Sequence, residues 1–392
     1  MQVIEKAIED LMVLLPIPGP PAKESQVAQY LHNMFVEIGI PDEQIVYDQA
    51  QEQSEYGGDV GNMIVRIEGR STDPTLMFST HLDTVPDCVG CEPFHDAENG
   101  RIINHAPATA LGGDNRAGCA ILVALARELM KREGDHPPIV LVFFIQEEVG
   151  LVGSRGLEPG LLGENLPEMC INLDGGRVEE VVTAVIGSER FTIDITGVAA
   201  HAGSRVAEGV SAAAIAARAI AELDMNGWHG RIQKPNGTGT SNVGIIEGGK
   251  GSNVVMPALH ILAEARSHDP AFRQEIIQTW QNAFTRAAHS VSNIHSQHGE
   301  VAFGPGPTYE AYALSEDAPV VIRTQQAADQ IGLPIKFVQD DGGCDANWIA
   351  HHGIPCVNLN IGQRDVHTVN EWIDLPDFER ACQLVLAIAL LG

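Results

Sequence analysis

Four short apolar runs, each followed at once by polar or charged residues, constrain the fold of this chain more than any other feature. They are Thr75 to Ser79 (TLMFS), Ile139 to Ile145 (IVLVFFI), Cys170 to Leu173 (CINL) and Cys356 to Asn360 (CVNLN). A strong helical pattern, Ala117 to Arg132, lies between the first two, with Asp114 and Asn115 as candidate N-caps. Strands that alternate with helices predict an α/β fold, a mostly parallel sheet flanked by helices.

The pattern of hydrophobic residues changes in the middle of the chain, from near Ser188. Residues 191–198, 242–248 and 258–267 alternate with period two, whereas 211–223 and about 271–288 are helical and lead into 299–303. This β-α-β-β-α-β order predicts an inserted α+β domain. We therefore expect a catalytic domain in two parts, 1–186 and 309–392, around an insertion over 187–308.

Charge and apolar run lengths exclude several classes of protein. The chain has 24 Lys and Arg against 52 Asp and Glu, a formal net charge of −28, so nucleic acid and anionic membranes are unlikely partners by simple repulsion. The longest apolar runs, 139–145 and 384–391, are too short to span a membrane. The first residues lack the basic segment and cleavage site of a signal peptide, so we expect a cytoplasmic protein.

Side chains suited to metal binding and proton transfer follow the apolar runs and precede the helix between them. They are His81, Asp83, Asp114, Glu147, Glu148, Asp174 and His367. Loops at the carboxyl ends of an open α/β sheet converge on one crevice, so these residues can meet. Clustered carboxylates repel one another unless cations are bound, and nitrogen with carboxylate donors suits zinc, with cobalt or manganese tolerated. The number of carboxylates favours two ions over one.

Plainer interpretations exist for each residue taken alone. An Asp at a strand end is usually a turn former or helix cap, and a Glu-Glu pair is usually solvated surface. Cys88 and Cys91 form a single C-x-x-C without the second pair that a structural zinc site needs. The metal hypothesis therefore depends on the clustering, since charged residues directly follow apolar strands.

Eight motifs in one order resemble the M20 family of dinuclear zinc peptidases, and most closely its peptidase T and tripeptidase-like members. The motifs are STHLDTVP, LGGDNRAG, FFIQEEVGLVGSRGL, NLDGG, GVAAHAG, AEARSHD, GGCDAN and DVHT followed by NEW, between about Met12 and Leu375. The resemblance implies a zinc-exopeptidase-like catalytic domain with an inserted lid and dimerisation domain. It also implies two Zn²⁺ per subunit and a homodimer.

The resemblance assigns a role to each matching position. His81, Asp114 and Asp174 would hold one ion, and Asp114, Glu148 and His367 the other. Glu147 would be the general base, and Asp83 would orient the His81 ring. Asn115 and Arg116 depart from the pattern, since relatives commonly carry Asp and Lys there.

The same resemblance assigns substrate contacts to the inserted domain. His201 would help to hold the scissile carbonyl, and Asn253 and Arg266 would grip the substrate. Arg266 suits a carboxylate because its guanidinium can bind one through two hydrogen bonds. From the residues alone, His201 could equally begin a helix and Arg266 could form a surface ion pair.

These expectations lead to a metal-dependent aminopeptidase. It would cleave the N-terminal peptide bond of short peptides, tripeptides first, by a hydroxide held between two metals with Glu147 as base. An M20-type deacylase of N-acyl amino acids, or a carboxypeptidase, uses the same metal motifs and is the alternative. A non-catalytic binding protein on a degenerate hydrolase fold predicts the loss of a ligand or of Glu147, and neither is lost.

Overall fold

The computed structural model describes residues 2–70 and 72–391, and these form two compact units. The first unit comprises the described residues up to Val185 and from Ala313 onward, and the second runs from Ile186 to Tyr312. Across the described ranges, no helix has the length and apolar character that crossing a membrane requires.

The described residues form nine α-helices and 18 strands. The helices are α1 (Gln2–Leu14), α2 (Ser25–Ile38), α3 (Gly113–Met130), α4 (Val152–Arg155), α5 (Ala212–Met225), α6 (Pro270–Ser290), α7 (Pro319–Ile331), α8 (Ala346–His351) and α9 (Leu375–Leu390). The strands are β1 (Ile45–Tyr47), β2 (Met63–Ile67), β3 (Leu76–His81), β4 (Pro93–Asp96), β5 (Arg101–Asn104), β6 (Ile139–Phe144), β7 (Met169–Leu173), β8 (Glu180–Val185), β9 (Gly187–Thr196), β10 (Gly230–Lys234), β11 (Gly237–Gly248), β12 (Ala258–Ser267), β13 (Glu300–Tyr309), β14 (Tyr312–Ala313), β15 (Lys336–Asp340), β16 (Cys356–Leu359), β17 (Gln363–Arg364) and β18 (Trp372–Asp374).

The large sheet of the first unit is mixed, with a parallel centre. Its strands follow the order β1-β2-β6-β3-β7-β16-β8-β14, and β15 also pairs with β8. The four strands predicted from the apolar runs, β6, β3, β7 and β16, are neighbours and run parallel, whereas β2 and β8 join them antiparallel. Every residue of β3, β6 and β7 is buried, as expected for strands covered on both faces. The predicted α/β fold is confirmed.

Helix α3 packs closely on the centre of this sheet, and its start departs from regular geometry. A Cβ at Gly118 would lie 2.1 Å from Thr80 Oγ1, so only glycine permits this approach. Asp114 and Asn115 have non-helical dihedral angles, and the Asn115 side chain accepts the Gly118 N–H at 3.0 Å. Asn115 is therefore the N-cap that the sequence predicted for this region.

A small antiparallel sheet, ordered β17-β18-β5-β4, completes the first unit. Strands β17 and β18 form a hairpin in which Gln363 pairs with Ile373 and Arg364 with Trp372. The connection between these two strands carries His367 and Glu371. The hairpin thus determines where a predicted metal ligand lies.

The second unit is an antiparallel sheet, ordered β10-β11-β12-β9-β13, with helices α5 and α6. Its own apolar core includes Phe191, Trp280 and Phe284. The predicted six-element order omits one strand, because β10 (GRIQK) buries only Ile232 and has no apolar alternation. Five strands are therefore present where the sequence predicted four.

Candidate metal centre

The carboxyl ends of the four central parallel strands carry most of the predicted site residues. His81 is the last residue of β3, Glu147 and Glu148 follow β6, and Asp174 follows β7. The chain after β16 continues into the β17–β18 hairpin, which supplies His367. Because these strands are neighbours and parallel, their ends lie at one edge of the sheet.

Asp114 lies between the two histidines. Its Oδ1 is 3.0 Å from His81 Nε2, and its Oδ2 is 3.1 Å from His367 Nε2. His367 Nε2 also lies 2.9 Å from Glu148 Oε2. One carboxylate thus presents a different oxygen to each side of the site.

Two groups of potential ligands share Asp114. The first group, the buried cluster, is His81, Asp114 and Asp174, and the second, the open cluster, is Asp114, Glu148 and His367. Within each group the ligand atoms lie within 4.8 Å of one another. The structure therefore brings together all five residues that were predicted as metal ligands, in the two predicted sets.

The carboxylates and histidines of the site have shifted pKa values. Burial raises the pKa of Glu147 and Asp174 well above their usual range, and the neighbouring carboxylates add to the effect. Hydrogen bonds to Asp114 and Glu148 raise the pKa of His367 to about 10. Burial opposes a charge on His81, but hydrogen bonds to Asp114 and Asp83 outweigh it and raise the pKa of that ring.

Divalent cations fit this donor set. The carboxylates outnumber the histidines, so protons or cations must balance their charge. Imidazole nitrogen with carboxylate oxygen is a combination that zinc accepts, and each cluster of three protein ligands leaves further positions for water or substrate. The sites at His81 and His367 therefore suit catalytic ions better than closed structural ones.

Asp83 holds two parts of the site at once. The His81 Nδ1 atom donates to Asp83 O at 3.1 Å and lies 3.4 Å from Asp83 Oδ1, which leaves Nε2 for an ion. The Asp83 carboxylate also accepts the backbone N–H groups of Glu147 and Glu148, at 3.0 and 3.1 Å. Asp83 therefore contacts both His81 and the turn that bears the two glutamates.

The turn before Glu147 is anchored by a buried carboxylate that the sequence analysis did not select. Gln146 has a φ of 51°, an uncommon backbone conformation outside glycine. Its N–H donates to Glu24 Oε1 at 3.1 Å, and its side chain accepts from Ser54 Oγ at 2.5 Å. Burial raises the pKa of Glu24 to about 8.

Asn115 and Arg116, which depart from the family pattern, contact the backbone next to the ligands. The Asn115 Nδ2 group donates to Leu173 O, directly before Asp174, at 2.7 Å. Arg116 is fully buried and donates to Leu82 O, between His81 and Asp83. Both residues therefore support the site from outside the ligand sets.

Two more buried acids were missed, although each lies within a quoted motif. Asp345, in GGCDAN, is 1 % exposed, and neither of its carboxylate oxygens accepts a hydrogen bond of normal geometry. Burial raises its pKa to about 7, and the charge of His81 offsets part of that shift. Glu371, in NEW, accepts three backbone N–H groups at the start of α3. Both acids lie in polar stretches, DDGGCDAN and DVHTVNEW, so the sequence around them gives no local signal of burial.

The predicted substrate contacts lie in the second unit. His201 is exposed, and its Nδ1 accepts the N–H groups of Gly203 and Ser204, both at 3.1 Å, so the neutral ring carries its proton on Nε2. Asn253 is also exposed, and its backbone oxygen accepts Ala202 N–H at 2.9 Å.

Arg266, the third predicted substrate contact, is half-buried on β12. It donates to Glu264 through Nε and Nη2, at 3.1 and 3.3 Å. The ion pair considered as the plainer interpretation of Arg266 is therefore present.

Comparisons with known sequences and structures identify several proteins that are similar to this chain. The chain is 30 % identical over 384 residues to the uncharacterised protein YqjE of Bacillus subtilis, covering 98 % of this chain and 97 % of that one. It is similar to the crystal structure of aminopeptidase PepT from Bacillus cereus, with a TM-score of 0.84 and 30 % identity over 99 % of this chain and 98 % of that one. A tripeptidase structure from Staphylococcus aureus has a TM-score of 0.86 and 26 % identity, with coverage of 99 % and 98 %.

A family profile matches most of the first unit and all of the second. The profile of Peptidase family M20/M25/M40 matches residues 77–391, which include every predicted ligand and Glu147. The chain therefore belongs to peptidase family M20/M25/M40.

Proposed function

We propose that this protein is a metal-dependent aminopeptidase that removes the N-terminal residue from short peptides, tripeptides first. The observation that carries the proposal is the pair of ligand clusters that share Asp114, together with the half-buried Glu147 next in sequence to Glu148. The similar structures named as an aminopeptidase and a tripeptidase support this substrate class.

The proposed ligands are His81, Asp114 and Asp174 for one ion, and Asp114, Glu148 and His367 for the other. Zinc is the proposed metal, with cobalt or manganese as substitutes. When bound, two such ions polarise the scissile carbonyl and make the water between them more acidic.

Glu147 is the proposed general base. Its carboxylate takes a proton from the attacking water and delivers it to the nitrogen of the leaving amine. Burial raises the pKa of Glu147, which strengthens it as a base. The Asp83 carboxylate, which accepts the Glu147 N–H at 3.0 Å, limits the freedom of that backbone.

The second unit is proposed to supply substrate contacts. The proton on His201 Nε2 suits this atom for donation to the oxygen of the scissile carbonyl. Asn253, on the neighbouring loop, is proposed as a second polar contact. Arg266 is proposed to bind the substrate carboxylate, which has to compete with Glu264 for the guanidinium.

A homodimer is part of the proposal and is supported by an edge of the second sheet. Strand β10 pairs with β11 only as far as Ser241, so in the described residues β11 has no partner on that side from Asn242 to Gly248. Ile245 and Ile246, on this free edge, are 45 % and 52 % exposed. A free edge with exposed apolar residues favours pairing with a second strand.

The test is to measure free amino acid released by zinc-loaded protein from a tripeptide, a dipeptide and an N-acetyl amino acid. Chelated protein and Glu147→Gln protein serve as controls. We expect chelator-sensitive release from the tripeptide above all. Cleavage of the N-acetyl compound alone would assign the protein to the deacylase alternative, and release of the C-terminal residue of the tripeptide would assign it to the carboxypeptidases. No turnover of any compound would contradict an enzymatic function.

A further inference from the structure

Glu371 makes a concentrated set of hydrogen bonds to the loop that begins α3. Its Oε2 accepts the N–H groups of Leu111 and Gly112, at 2.9 and 2.8 Å, and its Oε1 accepts the N–H of Asp114 at 3.0 Å. The residue is 3 % exposed. When both oxygens of a buried carboxylate accept backbone N–H groups, the carboxylate and that backbone segment restrain each other.

The same residue also closes the turn that carries His367. The backbone N–H of Glu371 donates to Thr368 O at 3.1 Å, and β18 begins at the next residue, Trp372. Glu371 therefore contacts two segments that are far apart in sequence. One of them bears Asp114, which both clusters share, and the other bears His367.

The loop from Leu111 to Asp114, which donates these hydrogen bonds, has a backbone conformation that directs its N–H groups to Glu371. Gly112 has a φ of +81°, a conformation that favours glycine, and this turns its N–H toward the carboxylate. A Cβ at Gly113 would lie 2.4 Å from Ile373 Cδ1, so the loop and β18 are in close contact. Gly112 and Gly113, the two glycines of the LGGD motif, therefore allow the loop to pack against the segment that contains Glu371.

We propose that Glu371 is a positioning residue that sets the metal affinity of the site by fixing the backbone of Asp114 relative to His367. Glu371 belongs to neither ligand cluster. The inference rests on the proposed two-ion function, because it concerns how the shared ligand is held. Residues that orient metal ligands typically alter affinity by about 10- to 100-fold when they are changed.

The variant Glu371→Gln isolates the bond to Asp114. A glutamine with its oxygen in the Oε2 position keeps the bonds to Leu111 and Gly112, but turns an NH₂ group toward the Asp114 N–H. Glu371→Ala removes all three bonds. Asp10→Asn is the matched control, because Asp10 is also a buried acid, 4 % exposed, and its side chain pairs with Lys6 and Arg127.

The experiment measures zinc affinity by competition with a chromogenic chelator, alongside the thermal stability of each metal-free protein. We expect the zinc dissociation constant to rise about tenfold for Glu371→Gln and up to about 100-fold for Glu371→Ala. The control is expected to lose thermal stability and to bind zinc like the parent. Glu371→Gln carries the test if the alanine variant does not fold.

The outcomes separate this inference from the function on which it rests. If the parent binds no zinc, the proposed two-ion function and this inference both fail. If the parent binds zinc and Glu371→Gln binds it equally tightly while losing stability, Glu371 is merely structural and only this inference fails. A loss of affinity in Asp10→Asn equal to that in Glu371→Gln would also overturn it, since general destabilisation would then explain both.

Discussion

The buried cluster and the open cluster share Asp114 but are held in different ways. In the buried cluster, His81 is 1 % exposed, and its ring is fixed by Asp83 on one side and Asp114 on the other. In the open cluster, the His367 side chain is 49 % exposed, and its φ of 61° lies in an exposed connection. The buried cluster is therefore preorganised for an ion, whereas the open cluster depends on His367, whose side chain is less restrained.

Two similar sets of donors therefore need not bind ions equally. Ligands that are already fixed lose little conformational entropy when an ion arrives, whereas an exposed side chain has to be ordered. We therefore expect the buried cluster to fill first and to hold its ion more tightly.

Replacing Asp114 with Ala removes the residue that both clusters need. We expect both ions to be lost and activity to fall to the level of chelated protein. Metal content after dialysis, measured by inductively coupled plasma mass spectrometry, checks this. Retention of one full equivalent would mean that the two clusters do not depend on a common carboxylate.

Replacing Glu147 with Gln leaves both clusters intact and removes the proposed base. Turnover is expected to fall by about 10²- to 10⁴-fold, the usual contribution of a positioned acid or base, with little change in KM. Metal content should equal that of the parent. A variant with nearly normal turnover would show that the proton is carried by another group, and the buried Asp345 would be the first to examine.

Replacing His367 or His81 with Ala separates the two clusters. His367→Ala is expected to lower the metal content to one ion and to cost the metal-free protein less stability than His81→Ala, because the His367 side chain is 49 % exposed and its ion pairs are screened by water. His81→Ala is expected to cost about 1–3 kcal/mol, since it leaves buried acceptors on Asp83 and Asp114 without their partner.

Chemical denaturation with metal analysis measures both effects. Equal losses of metal and stability in the two variants would erase the distinction between the clusters.

The smallest expected effect is a dependence on pH. The pKa of His367 is raised from 6.5 to about 10, so its ion pairs stabilise the metal-free protein fully below pH 6.5 and are lost as the pH rises through 10. The raised pKa values of Glu147 and Asp174 act in the same direction, since their charged forms are disfavoured by burial. Metal-free protein should therefore lose stability with rising pH.

Metal affinity should change in the opposite sense, because protons leave the ligands when an ion binds. Thermal denaturation of chelated protein between pH 6 and pH 10, with calorimetric zinc titrations in buffers of different ionisation enthalpy, measures the two trends. Metal-free stability that increases over this range would contradict the assigned pKa directions.

The residues of the two clusters could be selected from sequence because their signal is local. His81 ends a buried strand, and Glu148 and Asp174 come soon after buried strands, where a charged residue is conspicuous. The supporting acids gave no such signal, since their role depends on distant segments. Glu371 and Asp114 are 257 positions apart, and nothing near Glu371 in sequence indicates three backbone donors. The sequence analysis missed strand β10 for a related reason. This strand forms by pairing with β11 and has no apolar alternation of its own.

The most direct test of two ions sharing Asp114 is the anomalous scattering of crystals soaked in zinc. We predict two peaks about 3.5–4 Å apart, the spacing usual for two-metal sites, one on each side of the Asp114 carboxylate. At limiting zinc, the peak beside His81 should be the stronger. A single peak at full occupancy, or two peaks with neither beside Asp114, would contradict the account.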